Sequence, residues 1–308
     1  MRKIDPFHYG RIEKDEVNQQ AVQNYFQLID EAEAFYNAQI RRVVEQMGGG
    51  QESKAAAPAV LELVHVRKVF ARRGQESLAA VEDSSFAVGA GESVGLVGES
   101  GSGKTTTAQM VLGLLAPTSG QVLVDGRDVR ELGRRERRDL CRAVQAVFQD
   151  PMGSFDPRRT LGYSVCEGMR NVGVSREEAR RRALALFARC GLGAELFSRY
   201  PREVSGGQCQ RAAIARALAM DPKLLLCDEA TSALDETVQR QVVELLSGLC
   251  RERGLAMLFI SHDLALVGQL CDRVLVMEKG RIVESGPVEE VLLRPQHPYT
   301  QRLLASAL

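Results

Sequence analysis

The stretch "GLVGESGSGKTTT" (residues 95–107) constrains this chain more than any other. Gly98, Gly103, Lys104 and Thr105 satisfy G-x-x-x-x-G-K-[ST], with the apolar run "VGLVG" before it and the helix-forming "KTTTAQMVLGLL" after it. Glycines let successive backbone N–H groups turn toward one point, and Lys104 adds a mobile cation for the β- and γ-phosphates. Thr105 is suited to place its hydroxyl on Mg²⁺. Gly98, Glu99, Ser100, Gly101, Ser102, Gly103, Lys104, Thr105 and Thr106 therefore read as a nucleoside triphosphate cradle. A strand feeding such a loop and a helix leaving it form a βα unit, which belongs in an α/β sheet.

The rest of the chain keeps that rhythm. "LELVHV" and "SSFAVGAGESVGLVG" predict strands, "PTSG" breaks the helix after the cradle, and "QVLVDG" predicts another strand. From about residue 162 to 192 the pattern is mostly helical, and "SREEARRRALALFARC" opens on a Ser N-cap with early acids. "KLLLCDEA", "ETVQRQVVELLSGLCRERG", "LAMLFISHD" and "CDRVLVMEKGRIVESG" resume the alternation. Strands alternating with helices predict a largely parallel sheet covered on both faces, with the middle helical stretch inserted into it.

Composition narrows the class. Lys+Arg and Asp+Glu balance at 40 each, so no bulk positive charge points to nucleic acid or anionic lipid. No run approaches the roughly eighteen apolar residues of a membrane-spanning helix, and the N-terminus lacks the apolar core of a signal peptide. The seven cysteines are scattered and never form C-x-x-C, which favours reduced thiols and a cytoplasmic chain.

Before residue 48 the apolar residues Val22, Phe26, Ile29, Tyr36, Ile40, Val43 and Met47 form one stripe of an amphipathic helix. A flexible linker is expected over 48–59 and one catalytic domain over 60–308. The extension at 1–47 reads first as a helix packed on its own domain or loosely ordered, with a helix that docks a partner, or a segment upstream of a start at Met47, as the other readings.

Two acids end a buried strand in "LLLCDEA". Such acids need a cation or hydrogen bonds. Asp228 is placed to hold Mg²⁺ and Glu229 to orient and deprotonate a water. His262 follows "LAMLFIS" at another strand end, where an imidazole can donate to a phosphate oxygen. Gln149, after "AVQAVF", carries an amide able to reach both metal and water.

A second anion site remains: "VSGGQCQR" (204–211) sets a serine and two glycines at a helix start. In this order, "GESGSGKTT", "VFQDP", "VSGGQCQR", "LLLCDE", "SALD" and "SHD" resemble the Walker A, Q-loop, signature, Walker B, D-loop and switch-histidine motifs of ABC transporter ATP-binding subunits. The resemblance spans about residues 61–308. It implies a P-loop NTPase (RecA-like) core with a mostly parallel sheet, an antiparallel β subdomain, and a helical subdomain at about 150–220. It also implies a head-to-tail pair of ATPase subunits, homo- or heterodimeric, in which Ser205, Gly206, Gly207 and Gln208 serve the ATP held by the other subunit. Asp235 would lie at that interface, and Phe70 in "VRKVF" matches the position on which the adenine stacks. Catalysis would fall to Glu229, His262, Gln149 and Lys104, with Mg²⁺ held by Thr105, Gln149 and Asp228.

"FQDPMGSFDPRRT" (148–160) and "RPQHPYTQRLLASAL" (294–308), the latter within a C-terminal tail of about 286–308, are similar to the peptide/nickel importer branch, the former closer to its second ATPase subunit. That likeness implies ATP and Mg²⁺ as cofactors, membrane permeases as partners, an indirect link to a solute-binding protein, and a peripheral position on the inner face of the membrane. The balanced charge argues against a nucleic-acid partner. With nothing after the tail resembling the cysteine-bearing segment of some relatives, no iron–sulfur cluster is expected. The competing reading is a soluble ABC-type ATPase acting as a nucleotide-gated switch on a non-transport partner.

Overall fold

The structure, a computed structural model, describes residues 58–71, 77–231 and 234–306. The helix expected before residue 48, the linker expected over 48–59 except Pro58 and Ala59, and residues Ser232 and Ala233 of "SALD" lie outside the described residues; Ala59 opens the first strand rather than ending a linker.

The chain begins with β1 (Ala59–Phe70), β2 (Leu78–Gly89) and β3 (Ser93–Val97), then α1 (Lys104–Val111), β4 (Ser119–Val124), β5 (Arg127–Asp128), α2 (Arg134–Ala143) and β6 (Val144–Phe148). A helical stretch follows: α3 (Leu161–Asn171), α4 (Arg176–Arg189), two short 3-10 turns and α5 (Gly206–Leu218). The rest is β7 (Leu224–Asp228), α6 (Glu236–Arg253), β8 (Ala256–Ser261), α7 (Leu264–Leu270), β9 (Arg273–Glu278), β10 (Arg281–Pro287), α8 (Val288–Leu293) and α9 (Pro298–Ser306).

The described strands form one sheet in the order β5-β4-β1-β2-β10-β9-β3-β8-β7-β6. β9, β3, β8, β7 and β6 run parallel. β1, β2, β4 and β5 pair antiparallel. β9 and β10 make an antiparallel hairpin whose turn residues, Lys279 and Gly280, both have positive φ, the twist that two-residue hairpin turns need.

Sequence pattern explains the division. β3 and β8 are buried at every residue, as expected of parallel strands covered on both faces. β1 instead sends Leu61, Leu63 and Val66 into the core between more exposed neighbours. Each fully buried Leu or Val side chain contributes about 1.5–3 kcal/mol. β1 and β2 extend beyond the stretches legible as strands. A bulge is the reason in β1: His65 has φ 46° and the register shifts between Leu63 and Val66. The bulge brings the His65 carbonyl so close to Gly120 that a Cβ there would lie 2.1 Å from it.

The segment between β6 and β7 is helical throughout its regular structure and connects two adjacent parallel strands. Thr160 Oγ1 caps α3 by accepting from Tyr163 N, and Ser175 Oγ caps α4 by accepting from Glu178 N. Gly173, at φ 91°, turns the chain between the two helices. Tilted rings of Phe187 and Phe197, with centroids 5.4 Å apart, help close this unit.

Candidate functional site

Parallel register lines up the strand ends. Phe148 pairs with Asp228, Asp228 with Ile260, and Leu96 lies opposite Ile260. The residues just beyond this row are Gln149, Glu229, Ser261 and Val97, so Gly98 and His262 emerge on the same edge. Ligands of open α/β sheets bind at this carboxyl edge.

At Gly98, Gly101 and Gly103 φ is 154°, 81° and 112°. Space as well as conformation requires two of them: a Cβ on Gly98 would fall 2.2 Å from Met277 O, and one on Gly103 2.4 Å from Ala80 O. Gly103 precedes α1 without a side-chain cap, leaving the first helical N–H groups aimed outward for an anion. Glu99, Ser100, Gly101 and Thr105 are exposed, Thr106 is half-buried, and Ser102 and Gly103 are buried. Ser102 Oγ is buried with no hydrogen-bond partner.

Lys104 Nζ donates to Gly98 O at 2.6 Å and Glu99 O at 2.8 Å. Burial lowers its pKa, against the opposing pull of Glu229, Asp228 and Glu99. Asp228 moves the other way: burial, then the Glu229 charge, raises its pKa, while Lys104 opposes the rise. Asp228 Oδ1 is buried and without a hydrogen-bond partner. An orphan carboxylate oxygen beside a second acid and a phosphate cradle suits a hard divalent cation such as Mg²⁺.

Glu229 has a left-handed backbone, φ 48°, held by its N–H donating to Ile260 O at 2.9 Å. That is a sparsely populated region for a non-glycine residue, and here it re-aims the side chain at the end of β7. Glu229 Oε1 lies 3.6 Å from Nδ1 of the exposed His262. Gln149 is exposed after β6. Phe70, at the end of β1, is 38% exposed with Lys68 Nζ 5.2 Å from its ring centroid; a core role for this ring is excluded.

"VSGGQCQR" forms the entry of α5. Ser205 Oγ accepts from Gln208 N at 3.2 Å, and Gln208 Oε1 accepts from Ser205 N at 3.0 Å, a capping box. Ser205 and Gly206 are exposed. No hydrogen bond or ion pair among the described residues joins Ser205, Gly206, Gly207 or Gln208 to the cradle. Asp235 caps α6 by accepting from Val238 N at 3.0 Å.

Three features escaped sequence reasoning. Gly207 is needed for packing, because a Cβ there would lie 2.5 Å from Val238 Cγ1. Gln210 is fully buried, and its Nε2 donates to Ala230 O at 2.5 Å, tying α5 to the residue after Glu229. Tyr299, in the C-terminal tail, accepts a hydrogen bond from Glu99 N at 3.0 Å. The likeness of "RPQHPYTQRLLASAL" to the importer branch is the available signal for Tyr299; nothing local marks its contact.

Residues 81–232 match the family model described as ABC transporter. The chain is 49% identical over 229 residues to y4tS of Sinorhizobium fredii, named for a peptide ABC transporter ATP-binding protein; the match covers 74% of this chain and 65% of that protein. It is 46% identical over 233 residues to the oligopeptide transport ATP-binding protein OppF of Salmonella typhimurium, covering 75% and 70%. Among solved structures it resembles the ATP-binding cassette MJ0796, seen as a dimer in a post-hydrolysis state bound to ADP and Pi. There the TM-score is 0.68 and the identity 30%, over 74% of this chain and 98% of that one. On sequence, fold and site together, the chain belongs to the ABC transporter ATP-binding proteins, in their peptide-import family.

Proposed function

We propose that this chain hydrolyses ATP to power import of peptides or similar small solutes through membrane permease subunits, paired head to tail with a second ATPase subunit. The observation that carries the reading is the gathering of Lys104, Asp228, Glu229 and His262 at one sheet edge. Ser205 shares no hydrogen bond with its own cradle among the described residues, which supports the pairing, since a serine-capped helix start not engaged there can serve a partner's phosphates. No described helix is long and apolar enough to cross a membrane, which agrees with a peripheral seat on permeases at the inner membrane face.

In this mechanism Gly98–Thr106 wrap the phosphates with backbone N–H groups, and Lys104, its ammonium held by the Gly98 and Glu99 carbonyls, directs its third N–H at the β- and γ-phosphates. Phe70 stacks the adenine. Thr105, Asp228 and Gln149 would hold Mg²⁺, which would supply positive charge to neutralise the phosphates. Glu229 takes a proton from the attacking water, and His262 donates to a γ-phosphate oxygen. Ser205, Gly206, Gly207 and Gln208 complete the partner's site, with Asp235 at the same interface. Gln149, at the head of the helical segment, transmits the presence of the γ-phosphate to it.

The test is to purify the assembly that contains this chain, identify its membrane subunits, and measure ATP hydrolysis with peptide uptake in vesicles. An assembly without permeases, or full-rate hydrolysis by a strict monomer, would overturn the reading.

A further inference from the structure

The C-terminal helix α9 reaches the nucleotide cradle through one side chain. Tyr299 is 3% exposed, and its Oη accepts the Glu99 N–H at 3.0 Å. The other end of that same peptide unit is the Gly98 carbonyl, which accepts from Lys104 Nζ at 2.6 Å. A trans peptide is planar with N–H and C=O pointing in opposite directions, so holding the N–H aims the carbonyl. Tyr299 and Lys104 thus grip one rigid group from its two ends.

α9 is itself firmly seated. Glu284 of β10 accepts from Gln296 N at 2.8 Å and from His297 N at 3.0 Å, fixing the chain just before the helix. His297 Nδ1 accepts from Tyr299 N at 3.2 Å. Leu303 and Leu304 are buried, and Arg302 lies 3.6 Å from Glu278 of β9. The β9–β10 turn holds the far side of the cradle, with Gly280 N donating to Ser102 O at 2.8 Å. The cradle is therefore clasped by two elements that follow it by nearly two hundred residues.

We propose that Tyr299 is a positioning residue for nucleotide binding: through the Gly98–Glu99 peptide it sets where Lys104 can place its ammonium. The proposal rests on the ATPase reading above. Loss of the hydroxyl leaves the Glu99 N–H unpaired and frees the peptide to rotate, so Lys104 must be ordered anew each time a phosphate arrives. Lys104 meets the phosphates in both the ground and transition states, so the loss falls on binding rather than on the chemical step.

The experiment compares Tyr299→Phe with the wild type, each in the purified full-length assembly, by MgATP titration calorimetry, steady-state hydrolysis and melting without nucleotide. Phenylalanine keeps the buried ring and deletes only the acceptor. MgATP affinity is expected to fall, and KM to rise, about five-fold, the scale of one hydrogen bond. At saturation kcat should stay within about two-fold, and the nucleotide-free melting temperature within about 2 °C. Arg302→Gln, which removes the exposed contact to Glu278 and the guanidinium 6.0 Å from the Tyr299 ring centroid but spares the hydroxyl, should leave KM within about two-fold.

Wild-type affinity in Tyr299→Phe overturns the proposal. So does an equal loss in Arg302→Gln, a fall in kcat at unchanged KM, or an affinity loss accompanied by a lowered melting temperature. A wild-type assembly that binds no MgATP would overturn the ATPase reading as well, which separates the two failures.

Discussion

His262 Nδ1 stands 3.6 Å from Glu229 Oε1, each at the end of a neighbouring parallel strand. Of the two acids at the end of β7, only Glu229 departs from extended backbone into the left-handed region, and its carboxylate is turned toward His262. Replacing Glu229 by Gln keeps the shape and hydrogen-bonding reach but removes the base. Turnover should fall by about 10²–10⁴-fold, while ATP binding persists and the ATP-bound pair of subunits accumulates. Single-turnover hydrolysis alongside size-exclusion chromatography with ATP checks this; undiminished hydrolysis would remove Glu229 from its role. His262→Ala should also slow turnover and leave ATP affinity nearly intact.

Asp228 links stability to pH in the opposite sense from a salt-bridged surface acid. Burial and the Glu229 charge raise its pKa in the folded chain. Its contribution to stability is therefore greatest below the unfolded pKa and is lost as pH rises through the raised folded value. Asp228→Asn removes that loss. In metal-free buffer the variant should melt above the wild type at neutral pH, and the gap should close as pH falls toward the ordinary aspartate range. The same substitution should weaken MgATP binding at least about ten-fold, or about 1.4 kcal/mol. Thermal melts over a pH series with calorimetric titration of MgATP test both halves.

Legibility followed sequence distance and chemistry. The parallel strands are continuous apolar runs, and a parallel sheet brings its strand ends to one edge, so Lys104, Asp228, Glu229 and His262 are legible in the sequence. The bulge at His65 and the first half of β2 were not readable, because their residues are mixed in polarity and their pairing is set by Gly120 and by β1. Tyr299 lies 200 residues from Glu99, and Gln210 meets a backbone carbonyl of a distant loop. Such contacts leave no periodicity. Gly207 misled in a different way: a glycine assigned to phosphate recognition also has a neighbour, Val238, that leaves no room for a side chain.

Gly207 therefore offers a test of packing separate from nucleotide chemistry. A methyl group at this position would meet Val238 Cγ1 at 2.5 Å and force α5 and α6 apart. Gly207→Ala should destabilise the protein by about 1–3 kcal/mol. Val238→Ala removes the obstructing branch, so the double variant should recover part of that loss. A double-mutant cycle by denaturant unfolding gives the coupling, and strict additivity would show that the clash relaxes elsewhere.

Ser205 separates a local role from a role in trans. Its hydroxyl accepts the Gln208 N–H and so caps α5; Ser205→Ala should cost about 1 kcal/mol of stability. If the serine also completes the partner's site, the catalytic loss must appear there and not in its own cradle. Mixed dimers decide this, provided the two subunits can be distinguished by tags. One subunit carries Ser205→Ala, and the other carries Lys104→Ala to disable its own cradle. Placed so that both changes fall on one composite site, they should leave the second site working at about half the dimer's rate. In a dimer with both changes on the same chain, each composite site holds one defect, and hydrolysis should nearly vanish. The reverse pattern would mean that each cradle uses its own serine, and the head-to-tail arrangement would fail with it.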